Sequence, residues 1–333
     1  MSAATQDAAF FAGVSPEHDT ATVNARPRAG RIDADGSIRW IEFDHPEDGF
    51  QTRNAGHPAA VSAREAWFVV DGGGRFVGES ALWHVEGDAV QRPAVLTPVR
   101  TLYAEQVAAR GGRVWAAGGT RTGMFAGRWD GERWTRLPGE ILGLQGFKTL
   151  TVDRGGTPYL HVTVTDEARM PKPARPGDAV KSILFVKDAL FRHDGRGWVE
   201  IGLPDGKVSA VEGGRAGELW AATYSPGLQV WRYAGERWTK VADADKKSAA
   251  SVRLGSDDDG RLFIAEYIAG RKGDLSPSSG ESRLWALSGG GLSRVTLPSE
   301  DDSTQITGLA ATDDGALWFV AGATVYRATC TQG

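Results

Sequence analysis

The chain has little of what most catalytic and metal-binding motifs require. Among 333 residues there is one cysteine, Cys330. A lone thiol closes no internal disulfide and makes no Cys-x-x-Cys metal site. The histidines are His18, His45, His57, His84, His161 and His193, with no HExxH and no His-x-His pair, so a compact zinc motif is missing. There is no GxSxG, and the glycine-rich segments open no helix, so neither a nucleophile elbow nor a phosphate loop is present. No metal and no cofactor are expected. No apolar run approaches the roughly 20 residues that span a bilayer. The start, MSAATQDAAFFAGVSPEHDT, has neither a basic n-region nor a sustained apolar stretch. The net charge is only −4 and no long basic run occurs, which excludes nucleic acid as a default partner. The expectation is a cytoplasmic monomer without membrane insertion, or a periplasmic or secreted one if a leader peptide was removed.

What the chain has is 44 glycines and 12 tryptophans against 3 methionines. Glycine serves turns, and tryptophan suits broad, half-buried pleated surfaces. Both recur in register. A short strand with a central aromatic follows a glycine turn at AWFVV (Trp67), VWAAG (Trp115), PYLHV (Tyr159), LWAAT (Trp220), LFIAE (Phe263) and LWFVA (Trp318), spaced 43 to 61 residues apart in its last four intervals. An apolar strand ending in a tight turn precedes most of them, as in TLTVDRGG and SVRLGSDDDG. A third strand, a polar reverse turn and a fourth strand follow, as in VWRYAGERWTKV. Four short antiparallel strands at a period near 45 residues define a β-propeller blade.

The aromatics fit that architecture energetically. Each buries about 150–250 Å², worth roughly 4–6 kcal/mol gross at about 25 cal/mol per Å². A net hydrogen bond contributes about 1 kcal/mol. The tryptophans are therefore read as wedges between blades rather than as a ligand cage. Six copies imply an all-β propeller of six four-stranded blades, with seven as the alternative. Residues 1–26 are read as an arm outside a single domain at 27–333. The segment SIRWIEF, from Ser37 to Phe43, is expected to complete the last blade and lock the ring.

The pattern VSAV…GELWAAT…GLQVWRY…RWTKV, from Val208 to Val241, together with GALWFV at Gly315, resembles the two-component-regulator propeller repeat found in periplasmic sensor domains of bacterial hybrid kinases. The resemblance implies the propeller fold. It carries no catalytic residues.

The longest connections, 165–181 and 267–282, fall between second and third strands, and the inter-blade segment 44–58 opens on the same rim. Long loops on a rigid scaffold are where binding resides. The expected contacts are His57, Lys148, Arg169, Lys172, Arg175, Tyr224, Lys247, Tyr267 and Arg271. The first insertion sets Arg169, Lys172, Arg175 and Lys181 against Asp166, Glu167 and Asp178, a net of +1. The acidic turns SDDDG and ATDDG lack the spaced ligands of a calcium loop and are read as turn chemistry. The leading reading is a non-enzymatic module that holds a protein, a peptide or a small, possibly anionic ligand. One alternative is a lyase or hydrolase using His45, His57 or His161 at the channel mouth. The other is a stand-alone extracytoplasmic sensor.

Overall fold

A computed structural model of the chain describes residues 1–14, 27–43, 50–74, 80–92, 102–120, 123–169, 185–224, 227–244, 251–257, 259–268, 280–288, 291–297, 305–322 and 324–329. They form seven consecutive antiparallel sheets. Blade 1 is built from Ser2–Thr5, Ala8–Val14, Pro27–Asp33 and Ile38–Ile41; blade 2 from Phe50–Ala60, Glu65–Gly74, Ser80–Glu86 and Ala89–Gln91. Blade 3 comprises Leu102–Arg110, Arg113–Thr120, Gly123–Trp129 and Trp134–Arg136; blade 4 Leu144–Val152, Pro158–Thr165, Val186–His193 and Trp198–Ile201. Blade 5 comprises Lys207–Gly213, Leu219–Tyr224, Leu228–Ala234 and Arg237–Asp243; blade 6 Ser251–Ser256, Leu262–Ile268, Glu281–Ser288 and Gly291–Val295. Blade 7 has three described strands, Ile306–Ala311, Ala316–Ala321 and Thr324–Thr329. The first strand of each blade lies innermost, beside the first strands of its neighbours.

The all-β propeller is as expected, but there are seven blades and not six. The missed blade is the first. Its second strand, Ala8–Val14, carries Phe10 where the others carry Trp67, Trp115, Tyr159, Trp220, Phe263 or Trp318. Each of these seven rings packs onto the next blade. Phe10 meets Phe68 and Val70, Trp67 meets Val107, and Trp115 meets Leu160. Tyr159 meets Val208, Trp220 meets Val252, Phe263 meets Leu309, and Trp318 meets Ala9.

Three further expectations are corrected with it. Residues 2–14 are not an external arm; they are the first two strands of blade 1. Residues 15–26 lie outside the described residues. SIRWIEF does not complete the last blade, because Ile38–Ile41 pairs with the Pro27–Asp33 strand of blade 1. Blades 7 and 1 meet through side chains instead: Trp318 against Ala9 and Ile32, Asp314 Oδ2 accepting from the Gln6 amide at 2.8 Å, and Arg327 donating to Gln6 Oε1 at 3.2 Å. The 44–58 connection is also shorter than expected, since Phe50–Ala60 is a strand.

Turns between first and second strands are fixed by short polar side chains. Asp153 is fully buried. It accepts from the amides of Thr157 (2.9 Å) and Gly217 (2.8 Å) and from the Tyr159 hydroxyl (3.1 Å). Burial, with Asp153 adjoining, raises the pKa of that hydroxyl, so it remains a donor. Asp257 repeats the device on Arg261, and Thr312 on Ala316. The turns close on Gly156, Gly260 and Gly315, at φ 83°, 81° and 85°, a region that disfavours any side chain. In SDDDG Asp257 therefore caps its own turn, whereas in ATDDG the cap is Thr312 and Asp314 accepts from the Gln6 amide; no cluster of three metal-ligating side chains occurs among the described residues. Asp153→Ala strands two amides and a buried phenol, and is expected to cost about 3 kcal/mol in urea unfolding. A loss below about 0.5 kcal/mol would remove this turn from the account.

Candidate functional site

First strands begin, and second strands end, on one rim, as the pairs Leu144 with Val164, Lys207 with Tyr224 and Ser251 with Tyr267 show. The connections 170–184 and 269–279 leave from that rim but lie outside the described residues. The residues at their bases form two polar constellations, in blade 4 and across blades 5 and 6.

In blade 4, Lys148 Nζ donates to Asp188 Oδ1 at 2.6 Å. His161, 3% exposed, lies with Nε2 3.9 Å from Asp188 Oδ2. That distance is too long for a hydrogen bond, and His161 Nε2 is buried without a partner. Burial, reinforced by the Lys148 charge and opposed by Asp188, lowers the imidazole pKa to about 4. His161 is thus neutral near pH 7. In blade 6, Glu266 is buried in an otherwise apolar strand, LFIAEYI. Its carboxylate accepts from the Tyr224 hydroxyl of blade 5 at 2.9 Å and from Trp285 Nε1 at 3.1 Å. The pair of donors uses both oxygens, which ties the mouth of blade 5 to blade 6. Beside it, Tyr267 is buried, its ring lying where a side chain on Gly280 would sit, and Arg283 is paired with Glu281.

Of the expected contacts, Lys148, Tyr224 and Tyr267 are brought to this rim, Tyr224 as a half-buried member of the Glu266 network and Tyr267 as a buried side chain. Arg169 is exposed on the one-turn helix Glu167–Arg169, with its guanidinium 4.9 Å from the centre of the Phe185 ring. His57 falls within the Phe50–Ala60 strand. Lys172, Arg175, Lys247 and Arg271 lie outside the described residues, as do His18 and His45. Sequence reading missed Asp188 and Glu266. A lone acid inside a run such as LFIAEYI signals a buried, bonded carboxylate, and this signal was available. Nothing comparable marks Asp188, which lies at the edge of its strand. The remaining described histidines are structural. His84 stacks on Trp67 at 4.5 Å, and His193 bonds the Pro138 carbonyl and the Gly195 amide.

The chain is therefore a β-propeller whose rim at blades 4 to 6 is organised by two acid-centred networks. No protein-family model matches it, and no match emerged among curated proteins. Solved structures share the fold. A catalytically inactive virginiamycin B lyase from Staphylococcus aureus with quinupristin is 11% identical, with a TM-score of 0.58 over 96% of this chain and 98% of that one. The propeller domain of the Trilobed protease from Pyrococcus furiosus, described as having an open velcro topology, is 11% identical with a TM-score of 0.58 over 96% and 88%. YCF48 bound to D1 peptide is 12% identical with a TM-score of 0.51 over 86% and 83%. At such identities the likeness is one of fold.

His161 sets a pH dependence. Its folded pKa lies below the ordinary 6.5. Its contribution is then fully present above about pH 6.5 and is lost as pH falls towards 4. Between about pH 7 and pH 4.5 the wild type should lose roughly 2–3 kcal/mol more stability than His161→Gln. Parallel urea midpoints for the two proteins would contradict the assignment.

Proposed function

We propose that the protein is a non-enzymatic binding module whose rim over blades 4 to 6 holds a negatively charged partner, a peptide or protein segment in the first place and a small anion in the second. The observation that carries this reading is the coincidence of two acid-centred networks, the Glu266 one buried and the Asp188 one partly exposed, with the chain's long second-to-third-strand connections. Glu266 and Asp188 consume their neighbouring donors, Tyr224, Trp285 and Lys148. They fix the strand ends from which those connections leave. Residues 165–181, 245–250 and 269–279 each carry a net charge of +1, although the whole chain is at −4. Acids collect instead in the inter-blade segments 44–49 and 298–304, which lead into first strands at the same rim. Opposed patches of this kind orient a charged partner and speed its encounter.

The lyase or hydrolase reading rests on a histidine beside a carboxylate. Among the described residues two pairs fit it: His84 is hydrogen-bonded to Glu65 at 3.0 Å, but at the end of blade 2 away from this rim, and at the rim His161 and Asp188 stand 3.9 Å apart without a hydrogen bond. A sensor propeller of the two-component type would use the same rim. Virginiamycin B lyase was solved with quinupristin and YCF48 with a peptide; the propeller scaffold accommodates both kinds of ligand, so the scaffold itself does not choose between them.

A photo-crosslinking residue placed at Lys148, against a control at Arg133 on the opposite rim, tests the reading. Exposing the native host's extract to both should give adducts from position 148 at least about tenfold above those from 133, falling steeply in high salt. Arg169→Glu with Arg271→Glu should suppress them. Equal labelling from the two rims, or labelling indifferent to salt and to both substitutions, would sink the proposal.

A further inference from the structure

The end of the channel opposite the decorated rim holds a constellation that rim binding does not use. A cavity of about 320 Å³ occupies it, walled largely by small residues such as Ala59, Ala109, Gly255 and Ala310, and bordered by Arg110 and Glu212. Arg110 ends the first strand of blade 3, yet its Nη2 lies 3.4 Å from Ser256 Oγ in blade 6. The side chain therefore crosses the channel. Its Nε is buried without a hydrogen-bond partner. Glu212, in blade 5, accepts from the Ser256 amide. Guanidinium and carboxyl are thus anchored at the same residue from two sides, but no ion pair joins them; Arg110 reaches Glu212 through its field alone.

That separation is unusual for a buried acid beside a guanidinium, because the pair would ordinarily close. Here Ser256 holds both groups apart, with the cavity alongside them. Glu212 is half-buried and lines the cavity. Burial pushes its carboxyl up to about 7, outweighing Arg110, the Ser256 amide and Arg154, all of which favour the carboxylate. The other charged groups near this end are Arg253 of blade 6, whose Nε is also buried without a partner, Asp313 after the first strand of blade 7, and the Met1 amine, which burial and Arg253 lower to about 5. Counting Arg154, which also acts on Glu212, three guanidiniums face two acids, the Met1 amine being uncharged near pH 7.

We propose that this end of the channel is a binding site for a small oxyanion, held by the Arg110 guanidinium and the Glu212 carboxyl that border the cavity. A guanidinium fork matches the oxygens of such an anion. A neutral carboxyl donates its O–H to the anion, whereas a carboxylate repels it. Capture therefore takes up one proton from solvent wherever Glu212 starts ionised. No other bond is made or broken. The site is independent of the rim and stands or falls without it.

Sulfate is the probe, because its own charge stays constant over the range that matters. Titration calorimetry should show sulfate affinity falling roughly 30-fold between about pH 6 and about pH 8.5, following the protonated fraction of Glu212. In buffers of different ionisation enthalpy the wild type should take up about half a proton per sulfate near pH 7. Glu212→Gln should bind with little pH dependence, and Arg110→Gln should lose binding at least about tenfold. The proton count needs only the wild type, so it stands even if a variant misfolds. Absence of sulfate binding by the wild type, binding without proton uptake, or full binding by folded Arg110→Gln would overturn the proposal.

Discussion

The ring depends on one recurring contact: the large side chain that each second strand sets onto the blade after it. From Phe10 on Phe68 to Trp318 on Ala9, the same position does the same work seven times. A twisted sheet presents two faces, and each must be covered. Wide aromatic rings fill the wedge that opens away from the axis, while small residues let the inner strands close up. Gly213 marks the limit, since a Cβ there would fall 2.1 Å from the Val152 carbonyl oxygen. In that space the Gly213 amide donates to Thr151 Oγ1, and its carbonyl accepts from Ser256 Oγ, at 2.8 and 2.6 Å. Blades 4, 5 and 6 are thereby stitched around the channel as well as packed.

The fold was legible wherever the wedge was a tryptophan behind a glycine turn. Trp67, Trp115, Trp220 and Trp318 announced their blades, and Tyr159 and Phe263 followed by spacing. Blade 1 escaped because AAFFAGV has no tryptophan and its leading turn is a two-residue one at Gln6 and Asp7, without glycine. Its remaining strands, being polar at the surface, then passed for a closing strand of another blade. The lesson is physical: a ring needs volume at the wedge, and phenylalanine beside Phe43 and Trp83 supplies enough of it. Around the site, the exposed cations were readable and their acidic partners were not. Lys148 is recognisable as a rim residue from its place in the strand. That Asp188 neutralises it depends on a pairing 40 residues away, and single-residue reading does not see such pairings.

The two ends of the channel treat acids differently, and burial decides which. Glu266 receives two strong donors and so ties two blades together. Glu212, with one amide and two guanidiniums at a distance, is poorly compensated. The first arrangement makes a rigid base. The second leaves a group close to its titration point inside a small-walled cavity, where a modest change in charge alters what the cavity attracts.

Because Ile38–Ile41 stays with its own blade, every described sheet is made from one uninterrupted piece of chain. Such a ring assembles from local hairpins, each able to form as soon as its residues leave the ribosome, with little dependence on distant segments. Among the described residues, the chain's two extremities are joined by the docking of blade 7 on blade 1 through Trp318, Gln6 and Arg327. That seam, which shares no strand among the described residues, is the natural place for the toroid to breathe.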